Sequence, residues 1–281
     1  MITNENNYDH GDHVGNQGDV VKHTVLIAVL DVLLESGNRN NAFIFCDAFS
    51  GYGEYPLDSE KGECKNGVMA LDEKKSTNSY ITNYLDICFV KDENGTIQYP
   101  GSSVIAAMRA ARAGRKLSVK AWDTNKACTN DLRKVLEAQW PRIEVDVQEG
   151  KMPVEIEATS GTCPKGADLL FIDPPNRKGG KRTLKKIDGL KSDILPLLIW
   201  LPVNGHQDKQ NKKVWIPNTD LPILKTIKLS RFHVLWKVPS GTRMVVGCEI
   251  LGYNLEDSTW EAALNAATEV AKTMNWCICF K

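Results

Sequence analysis

The feature that most limits the possible folds of this chain is an alternation of short apolar runs with segments of helical periodicity. Strand-like runs occur at residues 42–46, 117–122, 143–147, 167–172, 197–201, 232–236 and 244–251. Apolar residues recur at helical spacing in 20–35, 104–112, 126–138 and in a last segment after Ser258. Strands that alternate with helices predict a mostly parallel sheet, covered on both faces by the connecting helices.

The last two strand-like runs flank Pro239-Ser240-Gly241, which predicts an antiparallel hairpin. A parallel sheet that ends in such a hairpin is the arrangement of class I Rossmann-like methyltransferases. We therefore expect an α/β fold with a seven-stranded sheet, formed by one domain that covers residues 1–281. Residues 57–99 are rich in Lys, Glu, Asp, Asn and Ser, and we interpret them as a small lobe inserted within that domain.

Short local signals predict where two helices begin and end. Asp19 can cap the first helix, and Gly37 can end it. Ser258 and Glu261 form the S-x-x-E pattern of a capping box at the start of the last helix.

The composition excludes several classes of protein. Lys plus Arg and Asp plus Glu both total 35, so any contact with nucleic acid must come from a local basic patch. The 8 cysteines include no C-x-x-C pair, which favours reduced thiols over metal ligands. The longest apolar run, residues 25–30, is far shorter than the roughly 20 residues of a membrane span. We expect a cytoplasmic monomer without a metal site.

Acidic residues and glycines follow three successive predicted strands. Asp47 opens the sequence D-A-F-S-G-Y-G, in which Gly51 allows a tight turn close to a ligand. It resembles the methyltransferase loop that holds the methionine part of S-adenosylmethionine. Asp123 ends the next strand, where a carboxylate can bind both ribose hydroxyls, and Glu149 can accept a hydrogen bond from the cofactor's adenine amine. The alternatives are a surface turn, a helix cap at Asp123 and a solvated Glu149.

The most specific motif is Asp173-Pro174-Pro175-Asn176, directly after a predicted strand. Methyltransferases that act on exocyclic amines have [D/N/S]-P-P-[aromatic] at this point. A carboxylate and a backbone carbonyl held by prolines can accept both amine hydrogens, which favours the pyramidal nitrogen needed for attack. The alternative is an ordinary exit from a strand into a loop.

Asn176 departs from this motif, because the usual aromatic residue stacks on the flipped-out base. An asparagine cannot stack. Either the base is held by other residues, or the substrate differs, or activity is weak or lost.

The N-terminal segment carries Tyr8, three histidines and Lys22. The histidines at positions 10, 13 and 23 could indicate a metal site, but no carboxylate or cysteine spacing supports one. The simpler interpretation is a polar, partly ordered arm.

Together these motifs resemble the RlmJ family of methyltransferases, which modify an adenine amine in 23S ribosomal RNA. The match begins with Y-x-H-x-x-H-x-G-N-x-x-D-x-x-K-H-T-V-L over residues 8–26. It continues with P-G-S at 100–102, I-D-P-P at 172–175 and W-x-P-V at 200–203.

The resemblance implies S-adenosylmethionine as the cofactor, Asp173 as the catalytic residue, and an N-terminal segment that covers the cofactor. The family has a histidine where this chain has Phe49, so with Asn176 two active-site positions differ and the chain is a divergent relative. From the motifs and the resemblance, the expected catalytic residues are Asp173, Pro174 and Asn176. The expected cofactor-binding residues are Lys22, His23, Asp47, Phe49, Gly51, Ser102, Asp123, Glu149 and Asp173.

A basic run follows the D-P-P motif and includes Arg177, Lys178, Lys181, Arg182, Lys185, Lys186 and Lys191. Such a run could bind phosphates beside a flipped base, and Lys237 and Arg243 could extend it; the alternative is a solvated helix face. The expected substrate-binding residues are Tyr8, Lys22, Arg177, Lys178, Lys181 and Arg182.

The sequence thus predicts an S-adenosylmethionine-dependent methyltransferase that acts on N6 of adenine in 23S ribosomal RNA. Two alternatives remain open. The first is a DNA adenine methyltransferase, because D-P-P motifs serve both substrates. The second, favoured by Asn176 and Phe49, is a methyltransferase-like protein that binds cofactor or RNA without catalysis.

Substitution of Asn176 tests whether the substrate is an adenine held by stacking. Asn176→Tyr restores an aromatic face for the base, so methylation of adenine should stay the same or rise. Methyl transfer to unmodified ribosomal RNA measures this. A sharp loss in the variant would show that Asn176 has a role of its own.

Overall fold

The computed structural model describes residues 13–36, 39–57, 62–91, 96–150, 167–174, 196–207, 214–215, 230–237 and 244–280. The α-helices in these ranges are α1 (Gln17–Ser36), α2 (Val68–Glu73), α3 (Ser79–Cys88), α4 (Ser102–Arg112), α5 (Lys126–Gln139) and α6 (Asp257–Met274). The strands are β1 (Phe43–Asp47), β2 (Glu54–Pro56), β3 (Gln98–Pro100), β4 (Leu117–Asp123), β5 (Glu144–Glu149), β6 (Leu169–Ile172), β7 (Leu197–Gln207), β8 (Val214–Trp215), β9 (Ser230–Lys237), β10 (Met244–Tyr253) and β11 (Cys277–Phe280).

Five parallel strands form the centre of the main sheet, in the order β5-β4-β1-β6-β7. Strand β10 then pairs antiparallel with β7, and β9 pairs antiparallel with β10. This order and the final hairpin confirm the predicted Rossmann-like methyltransferase fold. All seven predicted strands are present.

Two strands that the sequence analysis did not predict extend this sheet. Strand β8 adds two residues beside β7, and β11 pairs antiparallel with β9 at the sheet edge. The described sheet therefore has nine strands rather than the seven expected. Both additions are short, and runs of two and four residues show too little alternation to be recognised.

The sheet buries apolar side chains on both faces, as the predicted layering requires. On one face, Phe45 and Phe171 belong to a large cluster that also includes residues of α1 and α6. On the other face, Leu170, Ile172 and Ile199 belong to a second cluster. Alternate residues of β6 thus point to opposite faces and are buried on both, which is typical of a central parallel strand.

Helix α1 is buried along most of its length, because it packs against α3, α4 and α6. It begins at Gln17, and the side chain of Asn16 accepts a hydrogen bond from the backbone N–H of Asp19 at 3.0 Å. The predicted cap at Asp19 is therefore wrong, since Asn16 has that role. The predicted stop at Gly37 lies outside the described residues, but the helix ends at Ser36, immediately before it.

Helix α6 begins at Asp257, with Glu256 at the capping position and no side-chain cap. The predicted capping box is wrong, because Ser258 lies inside the first turn. The carboxylate of Asp257 is favourably placed there, since it lies near the positive end of the helix dipole.

The residues assigned to an inserted lobe, 57–99, contain a short 3-10 helix (Glu63–Asn66), α2, α3 and most of β3. Helices α2 and α3 pack against α6, and α3 also packs against α1. Strand β3 pairs with β2 in a separate two-stranded sheet. This segment therefore lies against the same helical layer that covers one face of the main sheet.

None of the helices in the described ranges combines the length and the apolar character that crossing a membrane requires.

Gly67 provides a test of how tightly this segment is joined to the start of α1. A Cβ atom at Gly67 would overlap the backbone carbonyl of Gly15, which accepts a hydrogen bond from Val68 at 2.9 Å. Gly67→Ala should lower the free energy of unfolding by about 2–3 kcal/mol, because backbone atoms on both sides must shift. Denaturant unfolding measures the change.

The matched control is Gly114→Ala, which meets no atom within 4 Å but has a φ of +64°. This variant introduces only backbone strain, so it should lower the free energy of unfolding by about 1 kcal/mol. Equal losses in the two variants would contradict tight packing at Gly67.

Candidate active site

The site lies at the carboxyl edge of the parallel sheet. Asp47, Asp123 and Glu149 are the last residues of β1, β4 and β5, and Asp173 directly follows β6. Because parallel strands end at a common edge, the chain brings four carboxylates from distant positions to one side of the sheet.

Asp47 is completely buried and is hydrogen-bonded to the first residues of α4. Its Oδ2 accepts hydrogen bonds from the hydroxyls of Ser102 at 2.5 Å and Ser103 at 2.9 Å, and Oδ1 accepts one from the backbone of Phe49 at 3.4 Å. Burial raises the pKa of Asp47 to about 6, although the serine hydrogen bonds oppose this; the charge of Asp173 raises it further. Ser102 thus contacts Asp47 directly, which the P-G-S motif did not reveal.

The loop after β1 is held by two carboxylates. The N–H of Gly51 donates to Oδ2 of Asp123 at 3.1 Å, and the N–H of Gly53 donates to Oδ2 of Asp131 at 3.0 Å. Gly51 has a φ of +62°, and a Cβ atom there would overlap the hydroxyl of Tyr55. The glycine is therefore required by the shape of the loop itself.

Asp123 does not cap α5, so that alternative is wrong. Asn125 is the cap, and its side chain accepts from the N–H of Ala127 at 2.9 Å. Oδ1 of Asp123 accepts from the N–H of Asn125 at 2.7 Å. The backbone carbonyl of Asp123 accepts a hydrogen bond from the N–H of Gly150 at 2.8 Å. This bond keeps the exposed Glu149 beside Asp123.

Lys22 is the centre of a buried cluster of charges. It is 4% exposed, and its Nζ lies 2.7 Å from Oδ1 of Asp19 and 2.6 Å from Oδ2 of Asp173. It also lies 5.6 Å from the ring centroid of Trp200 on β7, which is a cation–π distance. Burial alone would lower the pKa of Lys22, but the two carboxylates outweigh it and raise this pKa well above its usual value. Lys22 is therefore a permanent cation that connects α1 to the end of β6.

Asp19 has a role that its sequence context did not predict. Its carboxylate pairs with Lys22, and it also accepts from the N–H of Gly15 at 2.9 Å. The spacing D-x-x-K could have indicated it, because residues three apart lie on the same face of a helix.

The two histidines of the N-terminal segment that the structure describes, His13 and His23, contact different residues. His23 is buried, and its Nδ1 lies 2.8 Å from the hydroxyl of Tyr99. Nδ1 of His13 lies 3.1 Å from Oε1 of Glu63. Within the described residues there is no group of three side chains able to hold a metal ion.

Phe49 is half-buried and packs against the second apolar cluster, beside Ala48 and Cys46. Pro174 is buried. The remaining predicted site residues lie outside the described residues, and they are Tyr8, His10, Pro175, Asn176, Arg177, Lys178, Lys181, Arg182, Lys185, Lys186, Lys191 and Arg243.

Three comparisons relate the chain to known proteins. A family model described as "Ribosomal RNA large subunit methyltransferase D, RlmJ" matches residues 40–228. Ribosomal RNA large subunit methyltransferase J of Escherichia coli is 30% identical over 106 residues, and its counterpart from Haemophilus influenzae is 35% identical over 106 residues. These matches span 36% of this chain and 37% of each curated relative, so the chain spans little more than a third of their length.

The solved structure of protein LPL1258 from Legionella pneumophila has the same fold, with a TM-score of 0.71. It is 19% identical, and the alignment covers 95% of this chain and 98% of that one. Since the family model spans more than half of the sequence, the chain belongs to the RlmJ family of ribosomal RNA large subunit methyltransferases.

Proposed function

We propose that this protein transfers a methyl group from S-adenosylmethionine to N6 of an adenine in 23S ribosomal RNA. The observation that carries the proposal is the carboxylate of Asp173, fixed by the buried Lys22 at the edge of the sheet. The buried Asp47 is near enough for the charge of Asp173 to raise its pKa. An acceptor for the target amine and the loop assigned to the cofactor thus lie at one edge.

The residues at this edge fit S-adenosylmethionine. The partly exposed carboxylate of Asp123 suits the two ribose hydroxyls, and the exposed Glu149 suits the adenine amine of the cofactor. In the loop after β1, the hydroxyl of Ser50 is buried and makes no hydrogen bond within the described residues, so it can serve a ligand. The cofactor supplies an activated methyl group on a positively charged sulfur.

Asp173 would act as the acceptor that orients the target amine. Nζ of Lys22 donates a hydrogen bond to Oδ2 of Asp173. We assign the other oxygen, Oδ1, as the acceptor of the hydrogen of the target amine. Accepting that hydrogen weakens the conjugation of the nitrogen lone pair with the ring and directs it toward the methyl group. The buried Pro174 has a fixed φ, so it limits where the following backbone can go.

The choice of adenine in ribosomal RNA rests on the family and on the predicted basic run after Asp173. Because the net charge is zero, binding to RNA would depend on this local patch and weaken with salt. An enzyme that acts on ribosomal RNA works where ribosomes are, so the same proposal places it in the cytoplasm.

Removal of the Asp173 carboxylate tests the catalytic assignment. Asp173→Ala should reduce methyl transfer to unmodified ribosomal RNA by at least about 100-fold, because the amine loses its acceptor. Asp173→Asn keeps a carbonyl acceptor and should lose less. Transfer of a labelled methyl group measures the activity of both variants. Circular dichroism checks that they fold, which we expect because Lys22 keeps Asp19 as an ion-pair partner.

Asp86→Ala is the control, since it removes an exposed carboxylate from α3. Unchanged turnover in Asp173→Ala would remove the catalytic role. Methylation of DNA instead of RNA would support the DNA alternative, and cofactor binding without transfer to either would support a protein that only binds.

Asp47 provides a pH-dependent test of cofactor binding. Its pKa of about 6 means that it changes charge just below neutral pH. A positively charged cofactor nearby favours the ionised form and lowers this pKa. Binding is therefore tightest above pH 6 and weakens as the pH falls through this value.

The affinity for S-adenosylmethionine should fall about fivefold to tenfold between pH 7.5 and pH 5, because pH 5 lies about one unit below the pKa of Asp47 in the free protein. Isothermal titration calorimetry measures it, with Asp86→Asn as the control variant. In Asp47→Asn, the fall in cofactor affinity that comes from protonation of Asp47 should disappear. The same slope in Asp47→Asn and in the control would show that Asp47 does not sense the cofactor.

A further inference from the structure

The backbone N–H groups of residues 48–53, in the loop after β1, all have acceptors within the described part of the chain. The pairs are Ala48 with the carbonyl of Phe171, Phe49 with Oδ1 of Asp47, Ser50 with the carbonyl of Trp122, Gly51 with Oδ2 of Asp123, Tyr52 with the hydroxyl of Tyr55, and Gly53 with Oδ2 of Asp131. Contacts within the protein therefore hold this loop in its conformation.

Tyr55 contacts the middle of the loop from β2. Its hydroxyl oxygen accepts a hydrogen bond from the N–H of Tyr52 at 2.8 Å, and its side chain is buried. A Cβ atom at Gly51 would overlap the same oxygen, so the hydroxyl lies directly against the backbone of the turn. Burial raises the pKa of Tyr55 well above its usual value, so the phenol stays neutral.

The elements around the loop leave Tyr55 and the turn little room to move. Tyr55 lies opposite Tyr99 in the two-stranded sheet of β2 and β3. The N–H of Gly101, just before α4, donates to the carbonyl of Gly53 at 2.8 Å, and a Cβ atom at Gly101 would overlap the carbonyl of Tyr52. The loop is thus packed between this small sheet and the start of α4.

The turn at Gly51 orients the carboxylate of Asp123. Oδ2 of Asp123 accepts from the N–H of Gly51 at 3.1 Å, and Oδ1 accepts from the N–H of Asn125 at 2.7 Å. Each carboxylate oxygen can accept more than one hydrogen bond, so both can also accept from a ligand. Two neighbouring hydroxyls, as on a ribose, match two such oxygens.

We propose that Tyr55 is a positioning residue for Asp123. Its hydroxyl fixes the turn that directs the N–H of Gly51 to Asp123, which aligns the carboxylate for the ribose of the cofactor. Such alignment raises affinity, because less freedom is lost on binding. The inference rests on the proposed function, since that function assigns Asp123 to the ribose.

Amide hydrogen exchange in the free protein tests whether Tyr55 holds the turn. Tyr55→Phe keeps the ring but removes the oxygen that accepts from Tyr52. Exchange at Gly51 and Tyr52, measured by NMR, should become about fivefold to tenfold faster, the usual effect of one lost hydrogen bond. Exchange at Ala48 should not change, because its acceptor is the carbonyl of Phe171.

Tyr80→Phe is the matched control. It removes a phenol hydroxyl from a half-buried position on α3. Its exchange rates in the loop and its affinity for S-adenosylmethionine should match those of the wild type.

A double-mutant cycle tests whether Tyr55 acts through Asp123. Tyr55→Phe alone should weaken binding of S-adenosylmethionine about fivefold, measured by isothermal titration calorimetry. In an Asp123→Ala background the same substitution should weaken binding less than about twofold, because the carboxylate that it positions is gone. A general structural effect of Tyr55 would reduce the affinity equally in both backgrounds.

Equal losses of affinity in the two backgrounds would overturn the proposal. Unchanged exchange at Gly51 and Tyr52 in Tyr55→Phe would also overturn it. Failure of the wild type to bind S-adenosylmethionine would contradict the proposed function instead, and the exchange rates would still decide whether Tyr55 fixes the turn.

Discussion

The candidate active site depends on one buried cation. Lys22 is enclosed by Asp19 and Asp173, and a buried charge of this kind is stable only while its partners are in place. The two carboxylates come from α1 and from the end of β6, so the side chain of Lys22 joins the helix to the sheet edge. In the proposed reaction, this contact fixes the carboxylate that would accept the amine hydrogen.

The sequence was sufficient to predict the architecture and the edge on which the site lies. Periods of two and 3.6 residues separate strands from helices, and seven strands were recognised in this way. The positions of Asp47, Asp123 and Asp173 followed, because parallel strands end together. Their roles toward cofactor and substrate remain predictions, as does the lobe at 57–99.

The contacts that hold these carboxylates could not be predicted from local patterns. The hydroxyls that bind Asp47 are 55 and 56 positions away, and the partner of His23 is 76 positions away. No periodicity encodes such pairs, since they depend on how separate elements pack. The wrong caps at Asp19 and Ser258 have a similar cause: several polar residues near each helix start can cap, and tertiary contacts decide among them.

The position of β1 in the middle of the sheet has a kinetic consequence. Its neighbour β6 lies far along the chain, and the N–H of Ile44 bonds to Asp168, 124 positions later. Contacts between such distant residues form slowly, because the intervening chain loses entropy before any pairing offsets the loss. During synthesis, the apolar edge of β1 therefore stays uncovered until more than half of the polypeptide has left the ribosome, and this interval is when aggregation is most favoured.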